Sequence, residues 1–114
     1  MAALTAITPV VGGVASAGAA VSASDTIDAS TLGSKGVYLE IINGNASSDT
    51  VTISDYGTTP AGNALTSNQI SATVANGTSK VFFVKPTQYN PATGLVTVTH
   101  SVTATVAYKM TVVQ

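Results

Sequence analysis

The last stretch of the chain alternates apolar and polar side chains with a period of two. Val102, Ala104, Val106, Tyr108, Met110 and Val112 interleave with Thr103, Thr105, Ala107, Lys109 and Thr111. A strand sends every second side chain to one face, so this pattern buries well in a sheet and poorly in a helix. At 3.3 Å per residue the run would span ~36 Å, longer than an ordinary strand. A bend, a bulge or a long strand crossing a sandwich is therefore expected there. No window of comparable length keeps a helical period. The Ala-rich segment from Ala15 to Ala23 is the one helix candidate, weakened by Gly18 and its serines.

Upstream, the same period recurs in shorter pieces. Val37 to Ile42 reads as a strand with Val37, Leu39 and Ile41 toward the core and Tyr38 and Glu40 outward. Asn43-Gly44 marks a turn, and Thr50 to Ser54 follows with Val51 and Ile53 inward. These two strands are expected to pair as a hairpin. Asp55 to Asn68 is a loop by content. Ile70, Ala72 and Val74 alternate with Ser71 and Thr73, and Asn76-Gly77 marks the next turn. Lys80 to Val84 is the most hydrophobic strand and is expected to be covered on both faces. Pro86 ends it, and a loop runs to Gly94. Leu95 to His100 places Val96 and Val98 on one face. With one or two more strands from the N-terminal segment and Thr26-Ile27, the count predicts an all-β chain. The predicted architecture is a single antiparallel β-sandwich, jelly-roll or immunoglobulin-like, spanning residues 25–114 behind an extended N-terminal arm, residues 1–24.

The length of 114 residues suits one core. Charged residues make up only 8% of the chain, against about 25% in ordinary soluble domains. Thr and Ser keep the surface wettable instead. A surface so poor in charge favours association, so much of it is expected to face other subunits. Met1 to Ser24 carries no charged side chain, and no Lys or Arg precedes its apolar part, unlike a secretory signal. Pro9, Gly12, Gly13 and Gly18 interrupt it, so it also makes a poor membrane span. Four Lys and no Arg argue against nucleic-acid binding. The absence of Cys removes disulfides, thiol nucleophiles and Cys-based metal sites.

The remaining residues give no catalytic or cofactor pattern. His100 is the one histidine, and Ser101 beside it points to the opposite face of a strand. It reads as a solvated strand-end residue. Asp25, Asp28, Glu40, Asp49 and Asp55 lack calcium-loop spacing and read as turn and cap acids. Asn45-Ala46-Ser47 and Asn76-Gly77-Thr78 match a glycosylation triplet, but Asn76-Gly77 is better explained as a turn. No enzyme activity, metal or cofactor is expected.

Several ordered segments carry a family resemblance. They are Met1-Ala2-Ala3-Leu4-Thr5-Ala6-Ile7-Thr8-Pro9, Tyr38 to Gly44 followed by Thr50 to Ile53, Val74 to Lys80, and Tyr89 to Val98. In this order and spacing the chain resembles small tailed-bacteriophage virion proteins of the head decoration, or capsid cement, type. The resemblance implies a β-sandwich made in the host cytoplasm that binds the capsid exterior of the virion. Its implied partner is the major capsid protein, and it is often a homo-oligomer, a trimer, with no nucleic acid or membrane involved. Two other readings stand beside it: a strand-donating subunit of a pilus-like or extracellular fibre, and a small binding module of a phage tail. In each of them the useful residues are contact residues. The arm supplies Leu4, Ile7, Pro9, Val10 and Val11, and the loops supply Tyr56 and Tyr89.

Overall fold

A computed structural model describes residues 2–15, 18–56 and 69–113. Among these residues nine strands and one helical turn follow in the order β1 (Ala2–Ala3), β2 (Ala19–Ala20), β3 (Ser24–Asp28), α1 (Ala29–Leu32), β4 (Val37–Asn43), β5 (Asp49–Ile53), β6 (Ile70–Val74), β7 (Ser79–Val84), β8 (Leu95–His100) and β9 (Val106–Val112). They form a five-stranded sheet, β1-β3-β8-β5-β6, and a four-stranded sheet, β2-β9-β4-β7. All neighbours are antiparallel except β1, which runs parallel to β3.

The strands pair in nested fashion: β5 with β6, β4 with β7, β3 with β8, and β2 with β9. From β2 onward, every connection except β5 to β6 passes from one sheet to the other. This is the jelly-roll topology, one of the two sandwich arrangements that the strand count allowed.

Both sheets turn their alternating apolar residues inward. Ile27, Val51, Ile53, Val74, Val96 and Val98 face Val37, Leu39, Ile41, Val84, Val106, Tyr108 and Met110, all of them buried. Burying side chains of this size is worth about 1.5–3 kcal/mol each. Leu4, Val21 and Leu32 fill in the margins of this core.

Several expectations are corrected. The strands β4 and β5 are not a hairpin; they lie in opposite sheets. Alternation sets which side of a strand is apolar, but both sheets offer that side to the same core. The strand β7 is covered on one face only, since Val81 and Phe83 are exposed on the other. The long C-terminal alternation does not form one strand. It breaks at residues 101–105, where the chain crosses between sheets and Thr105 adopts a left-handed φ of 56°. Val102 and Ala104 therefore belong to a turn. The Ala15 to Ala23 segment holds β2, and the helical turn appears at Ala29–Leu32, capped by Asp28.

The N-terminal segment read as an arm is built into both sheets. Ala2 and Ala3 pair with Asp25 and Thr26, and Leu4 N donates to Thr26 O. The chain then crosses to β9, where Ile7 N donates to Met110 O and Val112 N donates to Ile7 O. The strand β2 returns along the same edge of β9. Sheet structure thus begins well before residue 25.

Candidate functional site

The topology sorts the loops into two groups. The strands β1, β3, β5, β7 and β9 all run toward one end of the sandwich, as their registers require. That end collects residues 8–15, the turn after α1, residues 54–56 and residues 85–94. Every contact candidate of the sequence lies on this end or leads into it. Leu4 and Ile7 do not project: Leu4 is buried and Ile7 is bonded to β9. Pro9, Val10 and Val11 do project. Val10 is 58% exposed, Val11 is fully exposed, and Gly13 N donates to Val10 O to close a turn at the tip. Val14 adds a third exposed valine.

Tyr56 and Tyr89 come from different loops but are brought together. Tyr56 N donates to the carbonyl of Gln88, the residue before Tyr89. Both tyrosines are half-buried, and Tyr89 packs against the core. Gln88 is the buried clamp between these loops. Its Oε1 accepts from Lys85 N at 3.1 Å and its Nε2 donates to Ser54 O at 3.0 Å. Ser54 Oγ in turn accepts from Thr97 N at 2.9 Å, and Lys85 Nζ lies 3.0 Å from Asp55 Oδ2. Residues 57–68, the greater part of the expected loop after Tyr56, lie outside the described residues.

Asp28 closes the same end. Its Oδ1 accepts from Ser30 N at 2.9 Å and Ser30 Oγ at 2.8 Å. The backbone bond first, then the hydroxyl bond, holds its carboxyl below the ordinary carboxylate range.

The opposite end is held by two polar centres. Asn43 Nδ2 donates to Ser47 O and Val74 O, while its Oδ1 accepts from Asn45 N. His100 corrects its expected role. Its side chain is out of water, with Nδ1 2.7 Å from Asp49 Oδ2, while Asp49 Oδ1 accepts from Ser101 N. Asp49 is likewise a buried anchor across strands rather than a solvated turn acid. The signal was weak because the pairing joins residues 51 positions apart.

The sequence also missed the outer face of the four-stranded sheet. Tyr38, Val81 and Phe83 are exposed there, and the rings of Tyr38 and Phe83 meet at a tilt of 48° with their centroids 5.7 Å apart. Glu40, Lys109 and Thr111 complete a shallow depression with Tyr38 and Val81. An apolar run in β7 without alternation was the available signal. It reads equally well as a strand covered twice or as a strand with one face left open.

Among the described residues, no three His, Cys, Asp or Glu are placed to hold a metal ion, and no helix is long and apolar enough to cross a membrane. No family model, curated protein or solved structure matches the chain.

Proposed function

We propose that the protein is a structural component of a bacteriophage particle that binds the exterior of the assembled shell and ties capsomer junctions together. The observation that carries this reading is the uncharged, exposed valine tip, Val10, Val11 and Val14, at the same end of the sandwich as the Tyr56 and Tyr89 loops. A shell-binding protein needs contact surface rather than a reactive group. Apolar side chains withdrawn from water supply that contact. Many symmetric copies multiply a modest single contact, and binding only the assembled lattice stabilises it by mass action. The family resemblance of the sequence points the same way. Strand donation to a fibre is less well supported, because the arm's Ala2, Ala3 and Ile7 already pair with their own β3 and β9.

The test is co-sedimentation with assembled shells of the source phage. Wild-type protein is expected in the pellet at a fixed ratio to the capsid subunit. The double variant V10S/V11S, with an unchanged circular dichroism spectrum, is expected to lose at least about tenfold in affinity, as removal of two central apolar anchors does. Undiminished binding by that variant removes the tip from the contact. No binding by the wild type overturns the reading.

A further inference from the structure

We propose that the open edge of β7 pairs with β7 of a second copy of this chain, about a two-fold axis at Phe82. Among the described residues β7 is hydrogen-bonded to β4 alone, at the margin of its sheet. Such an edge is a template for another strand. This contact concerns the free protein and does not rest on shell binding.

Which backbone groups are open follows from the ladder. Ile7 N donates to Met110 O and Val112 N donates to Ile7 O, so residues 110 and 112 of β9 bond away from β4. Residues 107, 109 and 111 therefore bond toward β4, at Ile42, Glu40 and Tyr38. That leaves Val37, Leu39 and Ile41 to bond β7, at Val84, Phe82 and Lys80. Asn43 N donating to Thr78 O continues the same parity. The N–H and C=O groups of Val81 and Phe83 consequently point off the sheet edge. The same two residues carry exposed side chains, 60% and 49% accessible.

An antiparallel pair centred on Phe82 sets Val81 against Phe83 of the second copy, and Phe83 against Val81. Each of these couples is a hydrogen-bonded pair exchanging two bonds, so all the open groups of both residues find partners. An aromatic residue opposite a β-branched one is a favourable cross-strand couple. Tyr38 lies beside Phe83 in the next strand, so the apolar row runs Tyr38, Phe83, then Val81 of the second copy. Lys80 would lie opposite Val84, so no charge meets a like charge across this register. Centring the axis on Val81 instead would set Phe83 against Ser79 and Phe82 against Lys80, a poorer match. The two four-stranded sheets would join into one of eight strands. This contact is smaller than the ~1,200 Å² of a standard interface, so a reversible, micromolar dimer is expected.

The chain has no cysteine, which allows a register-specific test. Single variants V81C and F83C are mixed and oxidised, after light scattering of the wild type over a dilution series. Hydrogen-bonded antiparallel partners have Cα atoms about 5.5 Å apart, within disulfide reach. Same-number partners lie diagonally, ~7–8 Å apart. The mixed V81C–F83C disulfide is expected several-fold above either homodimer disulfide. Wild type is expected to reach twice the chain mass on concentration, and V81K to weaken the dimer at least tenfold while keeping its fold. A monomer at every concentration overturns the proposal. A dimer in which V81C and F83C each cross-link mainly to themselves overturns it too.

Discussion

His100 Nδ1 lies 2.7 Å from Asp49 Oδ2, and both side chains are withdrawn from water. The contact joins the last residue of β8 to the first residue of β5. The other carboxylate oxygen accepts from Ser101 N at 3.0 Å and Val102 N at 3.4 Å. One buried acid thus sets the point where the chain leaves one sheet for the other.

Removing that carboxylate takes away the partner of the buried His100 ring and of the part-buried amides of Ser101 and Val102. Asp49→Ala is expected to destabilise the fold by about 2–4 kcal/mol, since each unmatched buried donor costs ~1–3 kcal/mol. Asp49→Asn is expected to cost less. Its oxygen can still accept from the Ser101 amide, while its NH2 can donate to His100 Nδ1 in the other tautomer. Urea denaturation of both variants checks the order; equal losses would contradict the anchoring role of the Ser101 bond.

Asp28 gives a pH dependence with a definite sign. Its carboxyl is held below the ordinary value of 3.8 by Ser30 N, then Ser30 Oγ. A depressed folded-state pKa means the contribution is fully present above the unfolded value. It is lost as pH falls through the lower folded value. Asp28→Ala is therefore expected to lower Tm at neutral pH, with the gap to wild type closing once both Asp28 pKa values lie above the solution pH. A gap that stays constant across an acid series of thermal melts would rule this out.

The arm contains two kinds of apolar residue. Leu4 is buried in the core, whereas Val11 is fully exposed at the tip. Leu4→Ala is expected to cost about 2–5 kcal/mol, the range for core truncations. Val11→Ser is expected to fall within ~0.5 kcal/mol of wild type. Thermal melts of the two variants separate structural from contact residues within one segment.

Gly36 has a φ of 83°, and a Cβ there would lie 2.2 Å from Val84 O. The turn after α1 passes too close to β7 for any side chain. Gly36→Ala combines that overlap with a backbone conformation costing L-residues ~1–3 kcal/mol. A loss of at least about 3 kcal/mol is expected in equilibrium unfolding. Gly77 also has a positive φ, but nothing lies within 4 Å of its Cβ position. Gly77→Ala should therefore cost visibly less.

Period-two alternation determined the inward residues of β4, β5 and β8 from the sequence alone. Val37, Leu39, Ile41, Val51, Ile53, Val96 and Val98 are all buried as their spacing requires. The turn at Asn76-Gly77 was equally local, needing only a glycine at positive φ. What only the tertiary structure decided depends on residues distant in the chain. Alternation assigns a face but not a sheet, so the placement of β4 and β5 in opposite sheets had no local signature. The burial of His100 needed Asp49 from another strand. The convergence of Val10, Tyr56 and Tyr89 on one end needed strand directions that exist only once the sheets have paired. The open face of β7 followed from its place in a two-layer sandwich, where the outer side of the four-stranded sheet leaves Tyr38, Val81 and Phe83 exposed; hydrophobicity shows that a strand avoids water without showing what covers it.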